Sequence, residues 1–163
     1  MDHSGQKTRL STLWQDKTLV LIFVRHLGCP LCRAHVIQMK EAYPDYQAAG
    51  AEVVIVAMGT VQEVADFRVR YALPFRFLAD PERVAYRAFD LPRGGIGSVA
   101  GPSMWSRGWK ALLSFGAGKV KSDPYQLPGS FVIDRAGIIR FAHYAKNSSD
   151  WASNEEHLAA IGG

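Results

Sequence analysis

KTLVLIFVRHLGCPLCRAHV, residues 17–36, is the stretch that decides the fold. Its first half, Lys17 to Arg25, is a continuous apolar and β-branched run, the pattern of a strand covered on both faces. Its second half places Cys29 and Cys32 two residues apart, with Pro30 at the position that starts a helix. A dithiol therefore sits where a buried strand turns into a helix. Val36, Met39 and Tyr43 continue at helical spacing, Pro44 divides or kinks the helix, and Gly50 closes it. AEVVIVAMG, from Ala51, reads as a second buried strand. TVQEVADFRVRYAL reads as a helix, with Thr60 as its N-cap and Glu63 at the capping-box position.

Strand, helix, strand, helix implies parallel pairing with right-handed crossovers. FRFLADPE predicts a short third strand and RVAYRAFDL a short helix. SFVIDRAGIIRFAHY predicts strands at Ser130–Asp134 and Ile138–Tyr144. The link Arg135-Ala136-Gly137 is short enough for a hairpin, which adds an antiparallel edge. A last helix is expected over Asp150–Ile161. The architecture is α/β: a central mixed sheet flanked by helices, in one domain spanning 1–163.

Composition narrows the function. The 163 residues are 48% hydrophobic, enough for one sizeable core. The net charge of +4 is scattered without a basic block, so neither a nucleic-acid nor a membrane partner is expected. LVLIFV, the longest apolar run, is too short to cross a bilayer, and MDHSGQKTRL is too polar for a secretory leader. A cytoplasmic location is the expectation.

The chain's two cysteines leave three uses open. A structural staple gains little, because a bridge over two residues closes a very small loop. A metal clamp formed with His26 and His35 is disfavoured. Zinc ligands come in two separate short knuckles, and these four residues lie in one run. Covalent haem attachment fails because Arg33 stands where the motif needs histidine. No metal or cofactor is expected. A redox pair fits the position best, since the strand's carboxyl end and a helix N-terminus together favour a thiolate at Cys29. Cys32, one turn further on, is then placed to bond to it.

LVLIFVRHLGCPLCR, VVIVAMGTVQEVADFRVRYALPFRFLADPERVAYRAFDL and DPYQLPGSFVIDRAGIIRFAHY together resemble the peroxiredoxin-like branch of the AhpC/TSA group. These are thiol peroxidases of the thioredoxin fold, and the likeness runs from about Leu13 to Tyr144. The resemblance implies that Cys29 reduces a hydroperoxide and that Cys32 resolves its sulfenic acid. A dithiol donor such as thioredoxin then reduces the disulfide. Two features depart from the pattern. His26 stands where such enzymes carry a threonine, and Pro128 stands where they carry an arginine before a late strand. Pro128 instead resembles the cis-proline of disulfide reductases, which makes a disulfide substrate the alternative to a peroxide. Arg25 is the candidate for the missing positive charge, although strand alternation points it away from Cys29. His26 is expected to tune the thiolate, and His35 to lie either packed or solvated on the helix.

Residues 92–126 read as an insertion with a possible helix, along which Met104, Trp105, Trp109, Leu112 and Leu113 form an apolar stripe. Core packing is the plain reading, and a lid or homodimer surface the sharper one. A non-catalytic binding module and a zinc-binding protein stay open as rival functions.

Overall fold

The computed structural model describes residues 1–95, 97–98, 113–114 and 122–162. Met104, Trp105, Trp109 and Leu112, and with them the expected helix and its role in assembly, lie outside the described residues. Among the described residues, after a short 3-10 turn at Leu10–Thr12, the strands and α-helices are in chain order β1 (Thr18–Phe23), α1 (Pro30–Glu41), α2 (Tyr43–Ala48), β2 (Ala51–Ala57), α3 (Val61–Arg70), β3 (Arg76–Ala79), α4 (Val84–Ala88), β4 (Gly129–Ile133), β5 (Ile139–Tyr144) and α5 (Asn154–Ile161). The strands form one sheet in the order β3-β2-β1-β4-β5. β1, β2 and β3 run parallel, while β4 is antiparallel to both β1 and β5. The apolar run that opens the chain's reading thus becomes the central strand.

Alternation along the strands sorts the side chains to two faces. Val20 and Ile22, with Val53, Ile55 and Val132, meet Cys32, Val36 and Met39 of α1 and Val64 and Phe67 of α3. Leu19, Leu21 and Phe23, with Val54, Val56 and Phe131, meet Tyr86 of α4 on the other side. Phe23 makes an edge-on contact with Tyr86 at 5.0 Å between ring centres. Burial on both faces explains why β1 and β2 carry no polar alternation.

Local chemistry sets the ends of the elements. Pro44 separates α1 from α2 because its ring cannot continue the ladder. α3 opens with the capping box formed by Thr60 and Glu63. The β4–β5 hairpin turns at Gly137, whose φ of +82° suits glycine alone among common residues. The last helix starts at Asn154 and not at Asp150. Ser153 caps it, in a second capping box with Glu156, and the Asp150 carboxylate is already used by the Lys146 N–H at 2.7 Å.

Candidate active site

Cys29 is the N-cap of α1, with extended backbone and Pro30 immediately inside the helix. Its N–H donates to the His26 carbonyl at 2.9 Å, and its own carbonyl accepts from Arg33 N–H at 3.1 Å. The Arg33 Nε donates to the Leu27 carbonyl at 2.8 Å, which ties the loop before the cysteine to the first turn of the helix. Both sulfurs are buried and unbridged.

Their environments differ in sign. The Cys32 thiol, the first-turn backbone N–H groups of Leu31 and Cys32 and the positive charge of Arg25 all favour the ionised form of Cys29. Against the opposing effect of burial, the Cys32 bond leads in bringing Cys29 down to about 6. Cys32 is raised well above the ordinary thiol range, chiefly by burial and then by donating to Cys29. The pair therefore holds one proton on Cys32 and one negative charge on Cys29.

Arg25 is 3% exposed and faces this charge. Its Nη1 lies 3.8 Å from Cys29 Sγ, while Nε donates to the Gln126 carbonyl at 3.2 Å and Nη2 to the Pro124 carbonyl at 2.5 Å. Its backbone N–H also works against the rise at Cys32. Alternation, which pointed Arg25 away, does not apply: β1 ends at Phe23, and the chain is turning by residue 25. The buried Tyr86 hydroxyl holds that exit. It donates to the Val24 carbonyl and lies 3.0 Å from the Val56 carbonyl.

The structure redraws three other residues. The Leu127–Pro128 peptide is trans, as are all the described peptide bonds, so Pro128 is not the cis-proline of a disulfide reductase. Leu127 N–H is bound to the Pro92 carbonyl and the Pro128 carbonyl to Ala145 N–H. The chain then runs extended into Gly129, which pairs with both Phe23 and Tyr144. Gly129 must be glycine, because a Cβ there would collide with Leu91 and sit 2.9 Å from the His143 carbonyl. The His26 ring is held neutral, lowered to about 4 mainly by burial and further by Arg25 and Arg33. It adds no positive charge, and its Nδ1 is buried without a partner. His35 is packed: its ring stacks on Trp151 at 4.1 Å, and burial lowers it to about 3. Among the described residues, no cluster of three or more His, Cys, Asp or Glu side chains is placed to hold a metal.

Gln126, Tyr86 and the Pro124 carbonyl carry no signal in the sequence, since two act through backbone and one through a fold-level approach. Beside the cysteine loop lies a cleft of about 330 Å³, with Leu27, Arg33, Met58, Phe67 and Tyr71 on its walls.

A mixed sheet with a CxxC dithiol at the end of its central strand and the start of α1 defines a thioredoxin-like fold with a redox-type cysteine pair. The AhpC/TSA family model matches residues 1–142, and the chain belongs to that family. The Thioredoxin-like protein AAED1, chloroplastic, of Arabidopsis thaliana is 29% identical over 94 residues, which cover 58% of this chain and 38% of that protein. Peroxiredoxin-like 2C of Homo sapiens is 22% identical over 177 residues, covering 99% of this chain and 76% of its own. Among solved structures, Peroxidoxin BcpB from Mycobacterium tuberculosis aligns with a TM-score of 0.70 at 21% identity, over 98% of this chain and 88% of that one.

Proposed function

We propose that this chain is a thiol peroxidase that reduces hydroperoxides through Cys29 and closes its cycle with a Cys29–Cys32 disulfide. The observation that carries this reading is the placement of Cys29 at the N-cap of α1, with Cys32 one turn further on and the buried Arg25 Nη1 3.8 Å from the Cys29 sulfur, surroundings that favour a thiolate. A sulfur nucleophile needs its charge, and ordinary cysteine at neutral pH is mostly protonated.

In the first step Cys29 S⁻ attacks the distal oxygen of ROOH. The O–O bond breaks, Cys29 becomes a sulfenic acid, and the leaving alkoxide takes a proton from solvent to give ROH. In the second, the Cys32 sulfur attacks the Cys29 sulfur as its proton passes to the departing hydroxide, giving a disulfide and water. The Arg25 backbone N–H lies ready to stabilise charge developing on Cys32. An external dithiol of the thioredoxin type returns both electrons and both protons.

Cys29→Ser is the test. Stopped-flow mixing with hydrogen peroxide and an alkyl hydroperoxide, with thioredoxin and its reductase as donor, is expected to show turnover in the parent and none in the variant. Parental peroxide consumption by Cys29→Ser overturns the assignment.

A further inference from the structure

Arg25 is a buried cation, and a buried cation keeps its place only if its donors are held. Among the described residues, its side-chain partners besides Cys29 are two carbonyls of one short segment, Pro124 and Gln126. That segment is zipped to residues 91–94 as a small antiparallel ribbon. Arg93 and Gln126 form a bridge, Leu127 N–H donates to the Pro92 carbonyl at 3.1 Å, and Gly94 N–H to the Tyr125 carbonyl at 2.8 Å. The Gln126 side chain, in a residue only 3% exposed, locks the ribbon from inside. Its Nε2 lies 3.4, 3.1 and 3.2 Å from the carbonyls of Leu91, Pro92 and Leu127. At the ribbon's outer end Asp123 takes Arg83 and, at 2.9 Å, Arg93.

We propose that Gln126 is a positioning residue for the peroxidatic sulfur: its amide fixes the ribbon whose carbonyls aim the Arg25 guanidinium at Cys29, with Asp123 as the second anchor of the same ribbon. The inference rests on the reading of Cys29 as the nucleophile. The side chains that set the acidity of Cys29 are Cys32 from α1 and Arg25 from the end of β1. The ribbon presents carbonyl oxygens to Arg25, and its Asp123 carboxylate is committed to two arginines. Losing the amide removes the side-chain donor that the Leu91, Pro92 and Leu127 carbonyls share, leaves the Pro92 carbonyl only its Leu127 N–H, and frees the ribbon to relax. The guanidinium then withdraws from the sulfur, and attraction between charges in a poorly screened site falls quickly with distance.

The experiment is iodoacetamide alkylation of fully reduced protein across pH, with thiolate absorbance followed in parallel, for the parent, Gln126→Leu and Asp123→Asn. Both variants are expected to move the alkylation midpoint to higher pH. Gln126→Leu moves it further, by about half a unit or more, so alkylation at pH 5.5 slows at least about 2.5-fold. At pH 9, where the thiolate is fully formed, the rates converge. General loosening of the fold would instead change the rate by one factor at every pH. Unchanged midpoints, or a pH-independent change, overturn the proposal. Should Gln126→Leu fail to fold, Asp123→Asn decides alone, and its unshifted midpoint has the same force. Alkylation needs no peroxide, so an inactive peroxidase assay would count against the function and leave this result standing.

Discussion

The two sulfurs share one proton unequally, and the inequality assigns their tasks. Cys29 gains its acidity first from the Cys32 thiol, so on the proposed cycle the residue that resolves is also the chief activator of the nucleophile. Replacing it by alanine or by serine should therefore have different results. Cys32→Ala removes the donor, and its alkylation midpoint is expected to rise well above 6. Cys32→Ser keeps an O–H at nearly the same place and is expected to retain most of the acidity. After one equivalent of peroxide the serine variant accumulates a Cys29 sulfenic acid, trappable by dimedone and visible by mass. Equal midpoints in the two variants would sink this account of the acidity. At this scale the sequence was legible where residue type carries the chemistry, as with Cys29, Cys32 and the start of the helix at Pro30. It was opaque where backbone does the holding, as with the Pro124 and Gln126 carbonyls. Pro128 misled because a proline's position does not reveal its isomer.

Elements position the site by being pinned at their ends. The end of β1 is tied to β2 and α4 through Tyr86, and α5 is tied to β4 by a buried polar chain. There the Tyr46 hydroxyl donates to Asn154 Oδ1 at 2.9 Å and is 3.0 Å from His157 Nδ1, while His157 Nε2 is 2.8 Å from Ser130 Oγ. With the Tyr46 proton spent on Asn154, its oxygen accepts from His157 Nδ1–H, and Nε2 accepts from Ser130. The ring is neutral, in keeping with its value of about 4, lowered mainly by burial. The strand and helix order, the divided α1–α2 pair, the hairpin and the Thr60–Glu63 box were all readable from periodicity and punctuation. The start of α5 carried the same capping signal at Ser153 and Glu156, in a stretch read as helical from Asp150 onward. Ser153→Ala is expected to cost about 1 kcal/mol, lowering the thermal midpoint by roughly 2–4 °C with the Cys29 alkylation profile unmoved. A shift in that profile would show that α5 reaches the sulfurs, contrary to the contacts described.

For the whole molecule, oxidation exchanges an ionised nucleophile for a neutral bridge, and stability must follow pH differently in the two states. In the reduced fold Cys29 titrates near 6 against an ordinary value of 9.0. The native state thus holds the thiolate that the unfolded chain does not yet hold. Its contribution is complete above pH 9, shrinks as pH falls, and is gone below about 5. Between those limits it grows with pH, because the native state has released a proton that the unfolded chain still holds. The oxidised fold lacks this group. Its short disulfide loop adds a pH-independent stabilisation of roughly 2 kcal/mol by chain entropy, set against an Arg25 left buried beside a neutral sulfur. Groups that titrate alike in both states, such as the neutral His35 and His157, weaken both folds below about pH 6.5 and cancel in the difference. Thermal unfolding of the reduced and disulfide forms in matched buffers from pH 5 to 8.5 is therefore expected to show a crossing. The disulfide form leads at pH 5.5, and the reduced form gains on it steadily above 6. Arg25→Ala flattens that gain, because the guanidinium is one source of the thiolate's stability. A gap that keeps one size across the range would mean that Cys29 is not ionised ahead of the unfolded chain.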